Sequence, residues 1–286
     1  MLNIKLIEPT ATDEEGLEIK TAEHYYDRFN NPVNLSYIGP IIKGIDVGKL
    51  RYKDLNIDYP TVDLCSVSVK QKDYDLGGYR IRYFRPEHLD KPAPVVFFIH
   101  GGAYCCGTID RYNLINRRLA ELIDGVVIHI DYTLSPETGF PTALRQSYHA
   151  IEYVAKNADR FMIDPDKIAI MGDSAGAHCC AALALEDRKK RYIKMIIMYY
   201  PVLDMSDYSY SKFDISYFGK NFSPMLEARI RSLTDISYIK KLFLQNNEDP
   251  KDELISPLLA ENLSAYPYTL MFCAEYDFLT IQCEEF

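Results

Sequence analysis

The feature that most narrows the folds open to this chain is a series of short apolar runs separated by helical patterns. Val95 to Ile99, Val126 to Ile130, Ile168 to Met171, Met195 to Tyr200 and Thr269 to Cys273 are apolar on both alternations. A strand with one wet face alternates apolar and polar residues, whereas a run apolar throughout suits a strand covered on both faces. Helical patterns lie between these runs at Leu114 to Ile123, Ala143 to Ala158 and Ala175 to Arg188. Strands alternating with helices predict an α/β class fold, with a mostly parallel central sheet flanked by helices and right-handed crossovers. Ahead of the series, Leu64 to Val69 and Tyr79 to Phe84 read as the strands of a hairpin, separated by a polar segment containing Gly77-Gly78.

Two stretches fall outside this alternation. Residues 1–60 are polar and irregular, with one helical pattern (Thr21 to Phe29) and breakers at Pro32, Gly39, Pro40 and Gly48. They predict an N-terminal arm that lies on the remainder of the chain. Residues 204–250 hold no central-strand run, many Tyr, Ser and Asp, and a helical pattern at Ile236 to Leu244. They predict an insertion on top of the sheet that forms a cap with the arm. The core is then residues 61–203 and 251–286.

Composition excludes several partners. Lys and Arg total 32 against 41 Asp and Glu, a net charge of −9. Nucleic acid and anionic membrane surfaces call for basic patches, so neither is expected. Met1-Leu2-Asn3-Ile4-Lys5 has no apolar signal core, and no apolar run reaches the length of a membrane span. The expectation is a cytoplasmic protein. The seven Cys are odd in number, and two pairs (Cys105-Cys106, Cys179-Cys180) are adjacent in sequence. That suits neither a disulfide framework nor a zinc site, so reduced structural thiols are expected, with no metal and no cofactor. The oligomeric state is left open.

Two motifs carry chemistry. Gly172-Asp173-Ser174-Ala175-Gly176 lies between the strand Ile168 to Met171 and the helix beginning at Ala175. In that context a G-x-S-x-G segment forms a sharp turn that lifts the serine hydroxyl above the sheet, and small neighbours keep the turn clear of adjacent elements. The helix N-terminus behind Ser174 adds partial positive charge, which favours a developing oxyanion. The second motif, His100-Gly101-Gly102-Ala103 with Gly107, directly follows the strand Val95 to Ile99. Its glycines let backbone N–H groups approach a ligand. Gly101, Gly102 and Ala175 are therefore predicted as oxyanion donors, and His100 as a residue that shapes the loop. Ala103, Tyr104 and Asp173, with Cys105, Cys106 and the insertion's Tyr208, Tyr210 and Tyr217, are candidates for the pocket wall, plain packing being the equal alternative.

Together the two motifs resemble the hormone-sensitive-lipase-like branch of the α/β-hydrolase esterases. Asp131-Tyr132-Thr133-Leu134-Ser135-Pro136-Glu137 with Phe140-Pro141, Ser256-Pro257-Leu258-Leu259, and Ala274-Glu275-Tyr276-Asp277-Phe278-Leu279 are similar to further stretches of that family. The likeness covers roughly residues 64 to 286. It departs where the third Gly of the family's loop is Ala103, and where Ala177-His178 follow the elbow. The resemblance implies an α/β-hydrolase fold and a serine carboxylesterase or lipase-like hydrolase of small or medium acyl esters. Ser174 is then the nucleophile and Asp277 the acid.

The same resemblance places the catalytic His after the acid, yet no His follows His178. His24, His88, His129 and His149 read as structural. His178 lies one helical turn past Ser174, but the elbow points the Ser174 hydroxyl away from the helix axis. The 286-residue chain is therefore expected to be nearly inactive, and to be a C-terminally incomplete form with the family's last strand and helix absent. The strand Thr269 to Cys273 would have a bare edge, and a helix would begin near Thr280. The alternative is a non-catalytic small-molecule-binding protein on the same scaffold. Nothing in the sequence marks a peptidase or amidase.

Overall fold

The computed structural model describes residues 62–206, 236–264, 266–274 and 277–286, with Val47, Arg51, Asp214 and Ser216. Within them, β1 (Val69–Asp75) and β2 (Arg80–Pro86) form an antiparallel hairpin. They are followed by β3 (Ala93–Ile99), α1 (Asn113–Leu122), β4 (Val126–Asp131), α2 (Thr142–Lys156), α3 (Ala158–Phe161), β5 (Ile163–Asp173), α4 (Ala175–Glu186) and β6 (Ile193–Tyr199). Next come α5 (Ser237–Phe243), a 3-10 turn (Pro257–Leu259), β7 (Tyr268–Phe272) and α6 (Thr280–Glu285). The sheet order is β1-β2-β4-β3-β5-β6-β7. β2 runs antiparallel to β1 and β4, and every other pair is parallel. The expected α/β-hydrolase architecture is therefore present.

The hairpin is shifted relative to expectation. Its first strand is Val69–Asp75 rather than Leu64 to Val69, and the polar segment assigned to the connection is the strand itself. Lys70, Gln71, Lys72 and Asp73 are exposed. An edge strand is held by its backbone ladder to one neighbour, so it needs no apolar pattern, and charge on an edge discourages further pairing. The turn glycines are as anticipated: Gly77 and Gly78 have φ of 83° and 100°, and the Gly77 N–H donates to Asp75 Oδ1 at 2.7 Å.

Burial explains the central strands. One sheet face packs Val95, Phe97, Ile99, Ile128, Ile130, Ile168, Ile170, Ile196 and Met198 against the apolar residues of α2 and α4. The other packs Val96, Phe98, Val127 and Met171 against Ala120 and Leu119 of α1. Each fully buried large aliphatic side chain contributes roughly 1.5–3 kcal/mol. In α4 every residue from Ala175 to Leu185 is buried, as befits a helix enclosed on all sides. Coverage thins towards β7. Tyr268 is 72% and Leu270 38% exposed, and among the described residues β7 pairs with β6 alone. Expectation had this strand covered on both faces. Among the described residues no helix is long and apolar enough to cross a membrane.

Of the arm, Val47 is buried with Cys105 and Cys106, in a cluster that also takes Ala103 and the α5 side of the chain through Tyr238, Ile239 and Leu242. The expected helix Thr21 to Phe29 lies outside the described residues.

Candidate active site

The elbow is the most constrained point in the molecule. β5 ends at Asp173, α4 begins at Ala175, and Ser174 between them has φ 51° and ψ −117°. A non-glycine residue held there costs on the order of 1–3 kcal/mol, so its surroundings must hold it in place. Its N–H donates to the Tyr199 carbonyl at 2.9 Å, and its own carbonyl accepts the His178 N–H at 3.0 Å. The flanking glycines are compelled by space. A Cβ on Gly172 would lie 2.6 Å from the Gly176 carbonyl carbon and 2.7 Å from the Ile99 oxygen, and one on Gly176 would run into that same oxygen. No side chain caps the start of α4, so its first N–H groups and their partial positive charge stay open beside Ser174.

The glycine loop is fastened to the elbow. Gly101 N–H donates to Asp173 Oδ1 at 2.9 Å, and the Tyr112 hydroxyl donates to Asp173 Oδ2 at 3.1 Å. Asp173 thus serves as the bracket between the two motifs. The Gly101 N–H, expected to be an open donor, is already engaged. Among the described residues no acceptor takes the N–H of Gly102 or Ala103. Gly102 sits at φ 118° and Ala103 at φ 52°, and the Gly102 carbonyl accepts from Cys105 and Cys106 at 3.1 and 2.9 Å.

His100 shapes this loop. Its Nδ1–H donates to the Gly101 carbonyl at 2.7 Å. A carbonyl only accepts, which fixes the tautomer with Nε2 bare. The ring stacks on Tyr132 at 4.5 Å, and the Tyr132 hydroxyl donates to the His100 carbonyl at 2.9 Å. Complete burial holds the imidazole neutral, below its ordinary pKa. Tyr104 is 2% exposed and stacks on Phe243 at 3.9 Å, so it is packing rather than open pocket wall. Cys105 and Cys106 are likewise buried. Tyr208, Tyr210 and Tyr217 lie outside the described residues.

Asp277 emerges from the same end of the sheet. Asp173 is level with Tyr199, and Tyr199 with Phe272, so the ends of β5, β6 and β7 lie side by side. Past β7, the Asp277 N–H donates to the Ala274 carbonyl at 3.0 Å, and Asp277 Oδ1 accepts the Leu279 N–H at 3.1 Å. Burial raises its pKa against the smaller opposing effect of that hydrogen bond. Tyr200, directly after β6, feels both carboxylates: burial first, then Asp173 and Asp277, push its phenol up to about 12.

No imidazole of the described residues meets Asp277. His178 is fully buried, its Nε2 at 3.1 Å from the Ile255 carbonyl, and burial pushes its pKa down to about 4. His88 pairs with Asp124 at 2.8 Å, His149 with the Tyr79 hydroxyl at 2.8 Å, and His129 with the Asn116 amide at 2.9 Å. His24 lies outside the described residues.

Two residues near the site carried no signal in the sequence. Tyr112, on the loop before α1, becomes visible only through its bond to Asp173. Arg51, from the arm, donates through Nε to the Cys105 carbonyl at 2.7 Å and through a terminal nitrogen to the Ser135 carbonyl at 2.6 Å. It also grips Glu137 with both nitrogens, at 2.5 and 2.8 Å. It thereby ties the arm to the end of the glycine loop and to the turn after β4. A lone Arg in an irregular segment gives no hint of this.

Residues 96–286 match the family described as alpha/beta hydrolase fold. The chain is 32% identical over 230 residues to a protein of Saccharolobus solfataricus named arylesterase, covering 79% of this chain and 70% of that protein. It is 30% identical over 215 residues to the carboxylic ester hydrolase LipN of Mycobacterium tuberculosis, covering 73% of this chain and 55% of that protein. Among solved structures it resembles EstE1, a thermostable carboxylesterase cloned from a metagenomic library, with a TM-score of 0.68 and 29% identity over 85% of this chain and 83% of that one.

Proposed function

The chain belongs to the α/β-hydrolase esterases of the hormone-sensitive-lipase-like branch, and on that premise we propose a serine carboxylesterase chemistry centred on Ser174. The observation that carries the proposal is the elbow bracketed to the glycine loop through Asp173. Ser174 Oγ attacks the carbonyl carbon of a small or medium acyl ester. The negative oxygen of the tetrahedral intermediate accepts from the N–H groups of Gly102, Ala103 and Ala175, with Gly101 holding the loop in place instead of donating. Such preorganised donors act where charge develops and need no reorganisation during the reaction. Collapse of the intermediate expels the alcohol and leaves an acyl-enzyme, which water then hydrolyses.

Removing the proton from Ser174 requires a base, and on this reading Asp277 orients an imidazole rather than serving as the base itself. None of the described histidines stands there. The 286-residue chain alone is therefore proposed to turn over esters very slowly, since loss of the triad His lowers turnover by on the order of a million-fold in a serine hydrolase where it was measured. A base supplied in solution substitutes for it in part. Hydrolysis of p-nitrophenyl acyl esters is to be followed with and without added imidazole, for wild type and Ser174→Ala. The expected result is slow turnover that imidazole accelerates only when Ser174 is present. Fast Ser174-dependent hydrolysis without imidazole would show that a base is already in reach. Binding of the ester with no Ser174-dependent acylation under any condition would favour a non-catalytic binding role.

A further inference from the structure

We propose that Arg51 is a positioning residue for the oxyanion loop, clamping its far end through the Cys105 carbonyl so that the N–H groups of Gly102 and Ala103 stay aimed at the negative oxygen formed above Ser174. The proposal rests on the hydrolase reading for what those N–H groups do, and on the contacts of Arg51 for what holds them.

The loop needs holding at both ends. Gly102, Ala103 and Tyr104 follow one another at φ 118°, 52° and 61°. Ala103 and Tyr104 carry side chains, and such residues persist at positive φ only where their surroundings over-determine them. The near end is fixed from the core, by Asp173 on the Gly101 N–H and by His100 on the Gly101 carbonyl. The far end is a turn closed by the Cys105 and Cys106 N–H groups on the Gly102 carbonyl. It is joined to the segment after β4 by the Ser135 N–H, which donates to the Tyr104 carbonyl at 2.9 Å. Val47 of the arm is buried against Cys105 and Cys106, with Ala103 packed on the same cluster.

Arg51 closes this far end. The Cys105 carbonyl, the Ser135 carbonyl and the Glu137 carboxylate all meet at its guanidinium, at 2.7 Å, 2.6 Å and, for the carboxylate, 2.5 and 2.8 Å. All three groups are acceptors, so without a shared donor they repel one another. A planar fork of five N–H donors carrying a positive charge turns that repulsion into a clamp, and bonds of this kind are stronger than neutral ones. The ammonium of a lysine is a compact point charge and does not reproduce the fork. The bond from Arg51 also holds the Glu137 carboxyl below its ordinary pKa, so the clamp is charged at neutral pH. Loss of the guanidinium leaves the two carbonyls facing a carboxylate with no donor between them, and the turn carrying Cys105 relaxes. Gly102 and Ala103 lie three and two residues upstream, so their N–H groups move with it.

The test uses the full 286-residue chain with p-nitrophenyl acetate and added imidazole. Arg51→Ala is expected to lower the Ser174-dependent, imidazole-assisted kcat by roughly 10- to 100-fold, with KM changed by less than roughly threefold, because misplaced donors weaken the transition state more than the bound ester. Added methylguanidine is expected to restore part of the loss. Arg51→Lys keeps the charge without the fork and is expected to keep a lowered kcat, and it decides the matter if Arg51→Ala does not fold. Amide hydrogen exchange reads the clamp without any activity. In both variants the Cys105, Cys106 and Ser135 N–H groups are expected to exchange about 10- to 100-fold faster, while the Gly101 N–H, held by Asp173, keeps its wild-type rate. Wild-type kcat in both variants, or exchange raised equally at Gly101 and across the central strands, would overturn the proposal. Wild type without any Ser174-dependent hydrolysis would instead remove the hydrolase reading, and the exchange at Cys105 and Cys106 would then decide alone whether Arg51 holds the loop.

Discussion

At the scale of single residues, the site is governed by where a Cβ fits and where a carboxylate reaches. Gly176→Ala places a methyl group against the Ile99 carbonyl, a backbone atom that cannot swing aside. The variant is expected to lose most of its folded population, visible as a large drop in urea midpoint, whereas Ala177→Gly lowers the unfolding free energy by only about 1 kcal/mol. Asp173 is a different case. Its two oxygens hold Gly101 and Tyr112, and a hydrogen bond to a charged group contributes about 1.5–3 kcal/mol. Asp173→Ala is expected to leave the fold intact while the Gly101 amide exchanges with solvent on the order of 10- to 100-fold faster. Unchanged exchange would mean that the loop is held by His100 and Tyr132 alone. The sequence displayed Ser174, its small neighbours and the glycine loop, because steric demands at an elbow act through adjacent residues. It could not display that the Gly101 N–H is engaged, because the acceptor lies far away in the chain.

At the scale of elements, the central strands were legible and the sheet's margins were not. β3 to β6 are buried between helices, and burial writes itself into apolar runs. β1 is held by its ladder to β2 with most side chains in solvent, so its polar sequence read as a connection. The opposite margin shows the reverse mismatch, since β7 has a buried-strand sequence but exposes Tyr268 and Leu270. An exposed apolar strand at a sheet edge invites self-association. The 286-residue chain is expected to associate with rising concentration in sedimentation velocity runs. Leu270→Lys is expected to shift it towards monomer without changing its helical circular dichroism.

At the scale of the whole molecule, stability is tied to keeping buried imidazoles neutral. His178 is fully buried with its pKa lowered from 6.5 to about 4, and His100 and His129 are lowered by burial as well. The unfolded chain takes up protons on these groups near 6.5 while the folded one resists. Their contribution is therefore full above that pH and is lost as pH falls towards 4. For His178 alone the difference amounts to about 3 kcal/mol. Urea unfolding is expected to weaken steeply between pH 6.5 and 4, and His178→Gln to flatten part of that slope. A flat profile would place the imidazoles in contact with water.

What the sequence determined by itself was the class of fold and the elbow with its glycine loop. Each depends on residues close together in the chain, whose constraints are steric or periodic. The tertiary structure decided which N–H groups stay open at Ser174, that Asp173 and Tyr112 bracket the two motifs, and that Arg51 ties the arm to the core. These are pairings in space between groups that have no periodicity and no neighbours in common. Only the packed chain brings them within hydrogen-bonding reach.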